Sequence, residues 1–246
     1  SFNTKSNEAA AGDYDKAIAL GANDYDVFKN RADLAFLKND FANASKQYDA
    51  ALRLNDKDPV VFNNRGKAKF NQQDMAGAIA DYDKAIALKP DYDKAIENRA
   101  EAKYKTQDWK GAADDFTKLT TAGRIETELF QKLGTAHFQL ANYKGTIEAL
   151  LKVTAKGIKD KDVFKMLGLS QAAAGDCTEA VKNLGSAVAM GINEQNVFTQ
   201  LGTCQYKNKE FAGSIESLSK AITAGANSVE MYLMRGLAQV NIQQVE

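Results

Sequence analysis

The chain has 246 residues, 44% of them hydrophobic and 26% charged, which is enough apolar content for a sizeable core and too much for a disordered segment. Its 32 basic residues balance 32 acidic ones, excluding a global electrostatic attraction to nucleic acid or an anionic membrane surface. No apolar run approaches the roughly 20 residues of a membrane-spanning helix.

The hexapeptide DYDKAI occurs at 13–18 and at 81–86, 68 residues apart, and a third copy at 91–96 is offset by ten. Sixty-eight is twice 34, and sliding the chain by 34 aligns the rest. With position 1 of a repeat at residues 25, 59, 93, 127, 161, 195 and 229, position 4 is bulky (Phe28, Phe62, Ile96, Phe130, Phe164, Phe198, Tyr232). Position 8 is small, from Ala32 and Gly66 to Gly202 and Gly236. Position 20 is small or Thr, and position 24 is Tyr48, Tyr82, Phe116, Leu150, Leu184 and Leu218.

In chain order, a second helix is expected at about 6–20, within a partial repeat at 1–24. Full repeats follow at 25–58, 59–92, 93–126, 127–160, 161–194 and 195–228, then a first helix at 229–246. Within each, helical apolar spacing predicts a first helix over roughly positions 2–14. Asp40, Asp74, Asp108, Asn142 and Asp176, at position 16, are suited to cap the second helix. Gly21, Gly123, Gly157, Gly191 and Gly225, at position 31, are suited to a left-handed stop, and Lys89-Pro90 ends the helix before it. Helices this short need packing partners, so stability is expected from stacking of neighbours.

The segments FQKLGTAHF (130–138), FKMLGLSQA (164–172), FTQLGTCQY (198–206) and DMAGAIADYDKAIALKP (74–90) resemble the tetratricopeptide repeats, over essentially the whole chain. The resemblance implies an all-α, right-handed α-solenoid of antiparallel helix pairs. It also implies a concave groove, lined by first helices, that grips peptides or partner proteins. The whole chain is therefore expected to form one array, excised from a longer one.

The repeats fall into two sets. Position 7 is Arg31, Arg65 and Arg99, then Leu133, Leu167 and Leu201; position 23 changes with it, from Asp13, Gln47, Asp81 and Asp115 to Ala149, Asn183 and Ser217. These Arg and Asp residues are expected to pair between packed helices, because a partly buried guanidinium needs a partner.

Position 6 of the same three repeats is Asn30, Asn64 and Asn98. In the family this position faces the groove, and the row resembles the asparagine ladder of O-linked N-acetylglucosamine transferase, whose amides hold a peptide backbone. The competing reading is a common surface variant. Position 12 (Phe36, Phe70, Tyr104, Phe138, Ala172, Tyr206) is either a groove wall or packing, and Ala172-Ala173 marks a gap where a pocket could form. Lys29, Asn64 and Lys94 match a carboxylate clamp found in some members, but Asp33 and Asn98 stand where that clamp has Asn and a cation. The candidate peptide-contacting set is Lys29, Asn30, Asn64, Lys67, Phe70, Lys94, Asn98, Tyr104 and Phe138, across residues 25–140.

No catalytic constellation, metal site or cofactor motif is read. His137 has no partner histidine, and Cys177 and Cys204, 27 residues apart, read as small core hydrophobes without a disulfide framework. The last helix carries Met231, Tyr232, Met234, Leu237, Val240, Ile242 and Val245, too apolar for one-sided burial, and Phe2 falls at the end of an earlier first helix. The expected function is a non-catalytic protein-interaction scaffold. The alternative is a structural module of a larger complex, such as a bacterial envelope or secretion apparatus, which self-assembles through 229–246.

Overall fold

The computed structural model describes residues 2–243; the expectations placed on Val245 and on the Phe2 side chain fall outside what it describes. Fourteen α-helices and no strand are present among the described residues. They form two compact units, Ser1–Gly123 and Arg124–Glu246. The N-terminal unit holds α1 (Phe2–Ala19), α2 (Tyr25–Leu37), α3 (Phe41–Leu54), α4 (Pro59–Asn71), α5 (Met75–Leu88), α6 (Asp93–Lys105) and α7 (Trp109–Thr121). The C-terminal unit holds α8 (Thr127–Gln139), α9 (Tyr143–Thr154), α10 (Lys161–Ala173), α11 (Cys177–Ala189), α12 (Gln195–Lys207), α13 (Phe211–Thr223) and α14 (Val229–Gln243).

The expected start and stop signals act locally. Asp40, Asp74, Asp108, Asn142 and Asp176 each accept a hydrogen bond from the backbone N–H three residues on, at the starts of α3, α5, α7, α9 and α11. His137 adds to one of these corners, its Nδ1 lying 3.1 Å from Asn142 Nδ2. The five glycines at position 31 take φ between 76° and 96°, where a side chain would strain the backbone.

Small residues at position 8 make room for bulky ones at position 24 of the same repeat. A Cβ on Gly66 would stand 2.6 Å from the Tyr82 ring, and one on Gly168 2.7 Å from Leu184. Tyr48, Tyr82, Phe116, Leu150, Leu184 and Leu218 are accordingly buried. A first helix therefore meets its second helix through one glycine or alanine notch, and the core is a row of such contacts.

The Arg–Asp pairing is present and is wider than expected. Each arginine reaches a carboxylate sixteen residues back, and Arg65 and Arg99 reach another sixteen residues forward. Arg65 donates from Nη1 to Asp49 at 2.7 Å and from Nε to Asp81 at 2.8 Å. Arg99 donates to Asp83 at 2.6 Å and to Asp115 at 2.8 Å. Arg31 pairs with Asp15 at 2.6 Å, and Gln47 stands at the position where the second carboxylate would be. Burial weakens the charged form of Arg65 and Arg99 most strongly of any single effect, yet the hydrogen bonds and charge of two carboxylates each, Asp81 with Asp49 and Asp115 with Asp83, together outweigh it and raise both pKa values.

A second pairing runs between positions 11 and 23. Lys69–Asp81 and Lys103–Asp115 are ion pairs, each at 2.9 Å. In the C-terminal unit the same two places hold an amide pair, Asn183 to Gln171 at 2.7 Å, and a hydroxyl–amide pair, Ser217 to Gln205 at 2.8 Å. Where the acid is gone, Leu133, Leu167 and Leu201 are buried in place of arginine.

One expectation is corrected. Cys177 and Cys204 form a disulfide between α11 and α12, with Cα atoms 4.8 Å apart. They are core residues as expected, 7% and 2% exposed, but bonded ones. The reason lies in the packing of position 17 against position 10 of the next repeat. At four other junctions within the units a large residue precedes a small one there: Phe41 and Ala68, Met75 and Ala102, Tyr143 and Ser170, Phe211 and Ala238. Two cysteines replace such a pair. The gap expected at Ala172 is occupied by the same cluster, since Ala172 packs on Cys177, Ala180 and Cys204.

Candidate functional site

A chain of hydrogen bonds joins α6, α4 and α2 and includes two of the candidate residues, Asn98 and Asn64. Asn98 Nδ2 donates to Asn63 Oδ1 at 2.8 Å, Asn63 Nδ2 to Asn64 Oδ1 at 3.3 Å, and Asn64 Nδ2 to Asp33 Oδ1 at 3.5 Å. Tyr48 from α3 donates its hydroxyl to the same Asp33 oxygen at 2.5 Å. Burial, and then this bond to Asp33, push the Tyr48 hydroxyl well above its ordinary pKa, so it remains a donor. Every donor in the chain points toward one carboxylate, an arrangement that fixes rotamers and lets the bonds polarise one another. Asn30 donates to Tyr14 at 3.3 Å, outside this chain.

Two cavities lie along the chain. The first, about 300 Å³, is lined by Asp33, Phe36, Leu37, Tyr48, Asn64 and Lys67. The second, about 170 Å³, is lined by Lys67, Phe70, Asn71, Tyr82, Asn98 and Glu101. Lys67 belongs to both, and its ammonium lies 5.1 Å from the centre of the Phe36 ring. Lys105 stands over Phe70 in the same way, at 4.5 Å.

Of the candidate set, Asn64, Lys67, Phe70 and Asn98 line these cavities. Asn30 and Lys29 are half-buried on α2, and Lys94 is exposed in the first turn of α6. Tyr104 packs edge-on against Trp109, 5.2 Å away, and against Phe116. Phe138 belongs to the C-terminal unit, where it packs on Leu150, Val163 and neighbours. The position-12 stripe thus divides: Phe36 and Phe70 line cavities, whereas Tyr104 and Phe138 pack. Asn63, 3% exposed and the middle link of the amide chain, was not singled out from the sequence. The signal was available, since an Asn at position 5 beside an Asn at position 6 occurs in this repeat alone.

No group of three or more His, Cys, Asp or Glu among the described residues could hold a metal ion, and no described helix is long and apolar enough to cross a membrane.

The tetratricopeptide repeat model matches residues 29–93 and 63–125. A search of curated proteins finds no match to the chain. Among solved structures, YrrB, described as "a TPR protein with an unusual peptide-binding site", is similar with 21% identity and a TM-score of 0.60, over 78% of this chain and 97% of that one. A tetratricopeptide repeat protein from Parabacteroides merdae aligns over 97% of this chain and 94% of its own at 14% identity and TM-score 0.56. The C-terminal part of a repeat protein from Cytophaga hutchinsonii aligns over 95% and 96% at 13% identity and TM-score 0.59. This fold is one that serves broadly as a protein-interaction scaffold and is typically non-catalytic. The matched family model identifies residues 29–125 as tetratricopeptide repeats, and the in-phase helix pairs and glycine notches carry the same fold through the rest of the described residues.

Proposed function

We propose that the chain is a non-catalytic scaffold that holds an extended peptide or protein segment along the shared face of α2, α4 and α6. The observation that carries this reading is the wired amide chain from Asn98 through Asn63 and Asn64 to Asp33, running beside two aromatic-walled cavities. An amide whose rotamer is already held loses less entropy on binding a peptide backbone. Asn64 and Asn98, which line the cavities, each use one amide hydrogen internally and keep a second for a ligand. The described peptide site of YrrB supports the same use of the fold. The proposal includes the division into six full repeats in one array, which the 34-residue phase supports.

The test is a peptide-library screen of the wild type against an Asn30/Asn64/Asn98-to-Ala triple variant. The variant is expected to lose most binding; equal binding by both proteins removes the amide ladder from the mechanism.

A second reading, a self-assembly module, is favoured by α14. Val229, Leu233, Leu237 and Val240 are exposed there. The proposed occupant of this face is another copy of the chain. The Cys177–Cys204 disulfide supports an oxidising compartment for either reading.

A further inference from the structure

α14 and α1 carry the two halves of one repeat contact. α14 packs on α13 as a first helix does, with Met231 and Ala238 buried, and α1 packs on α2 as a second helix does, with Asp15 holding Arg31 as Asp49 holds Arg65. Arg235 therefore stands at position 7, the place of Arg65 and Arg99, and Asp13 at position 23, the place of Asp81 and Asp115. Arg235 is half-buried and donates to a hydroxyl, Ser219 Oγ at 3.2 Å, with the Tyr232 ring 5.6 Å away. Neither it nor the exposed Asp13 has an ion pair among the described residues. Positions 4, 7, 8 and 11 of α14 are Tyr232, Arg235, Gly236 and Gln239, and positions 20, 23, 24 and 27 of α1 are Ala10, Asp13, Tyr14 and Ala17. Each set holds a single charge, and the two are opposite. In complete repeats these positions join a first helix to its second: Arg65 meets Asp81, the Gly66 notch takes Tyr82, and Lys69 or Gln171 at position 11 bonds position 23. Tyr14 and Ala17 are only half-buried, where Tyr48, Tyr82, Ala51 and Ala85 are buried.

We propose that α14 of one copy docks on α1 of a second copy and rebuilds a repeat contact across the interface, with Arg235 paired to Asp13 of the second copy. The proposal rests on the self-assembly reading above and names the surface that α14 meets. Charge complementarity decides between the faces: α14 against another α14 brings two arginine-bearing faces together, α1 against another α1 brings two aspartate-bearing faces together, and only the unlike pair gives each charge a partner. The uncharged positions fit the same register. Tyr14 enters the notch at Gly236 as Tyr82 enters that of Gly66, and Gln239 reaches Asp13 from position 11 as Lys69 reaches Asp81. Such a contact is heterologous, so each docked copy presents its own α14 to a further one and assembly continues past the dimer.

The test is light scattering across a concentration series on the 246-residue chain, on Asp13→Arg, on Arg235→Asp and on a one-to-one mixture of the two variants, with folding checked by circular dichroism. Wild type is expected to gain mass past that of a dimer, and each variant alone to associate about tenfold more weakly or worse. The mixture is expected to recover wild-type association, because in it both kinds of contact again join opposite charges. Mixing does not rescue variants that have merely failed to fold. If Asp13→Arg associates like wild type, or if the mixture stays as weak as its parts, α14 meets some other surface and this inference is wrong while the self-assembly reading stands. If the wild-type mass does not change with concentration, the self-assembly reading fails and this inference with it.

Discussion

Asp81 and Asp49 both hold Arg65, and they differ in what surrounds them. Asp81 is 3% exposed and serves Arg65 and Lys69 together, whereas the Asp49 side chain is 44% exposed and serves Arg65 alone. Removing the buried carboxylate leaves Lys69 without its ion pair and Arg65 with only the exposed Asp49, in a low-dielectric contact, while removing the exposed one lets water replace it. Asp81→Asn is therefore expected to lower unfolding stability by about 3 kcal/mol, and Asp49→Asn by less than about 1 kcal/mol, read from urea denaturation. An unchanged midpoint for Asp81→Asn would remove the pairing from the account of stability. The same logic explains DYDKAI. In the copy at 81–86 its first aspartate holds the arginine of its own repeat, and its second, Asp83, holds Arg99 of the next.

Among elements, the α11–α12 contact is distinct because a covalent bond replaces a large–small packing pair. Closing a loop of 27 residues restricts the unfolded chain by roughly 3 kcal/mol. Cys177→Ser/Cys204→Ser, or reduction by dithiothreitol, is expected to lower the thermal midpoint of the C-terminal unit, read by the probe Tyr206. A midpoint indifferent to reductant would show that the packing of Ala172 and Ala180 suffices. The cysteine pairing was partly legible: at the five other junctions between residues 41 and 238 position 17 is larger than position 10 of the next repeat, and only here are the two equal. Sequence separation alone could not reveal it, because the partners lie on consecutive helices of different repeats. The position-16 caps, by contrast, were legible, since an N-cap aspartate and the backbone N–H that donates to it lie three residues apart.

For the whole molecule, the question is whether α14 is a docking face. Leu237 and Val240 are 42% and 50% exposed, while Met231 and Ala238 on its other side are buried. If a second copy covers that face, light scattering should show mass rising with protein concentration, and Leu237→Glu/Val240→Glu should abolish the rise. A wild-type mass independent of concentration would leave the peptide-holding scaffold as the sole reading.

The 34-residue phase determined by itself where helices begin, where they stop and which residues become notch and ridge, because burial on one helix face recurs with the repeat and needs only local spacing to be read. It also marked Arg65, Arg99, Asp81 and Asp115 as partners, since the two types vanish together. Only the tertiary structure decided that Asp49 and Asp83 share those arginines, that Asn63 links Asn98 to Asn64, that Cys177 bonds Cys204, and that Lys67 lines two cavities. Each of these depends on how far one helix is rotated against the next and which rotamer a side chain takes there. Periodicity constrains which face is buried and leaves those angles to the packing.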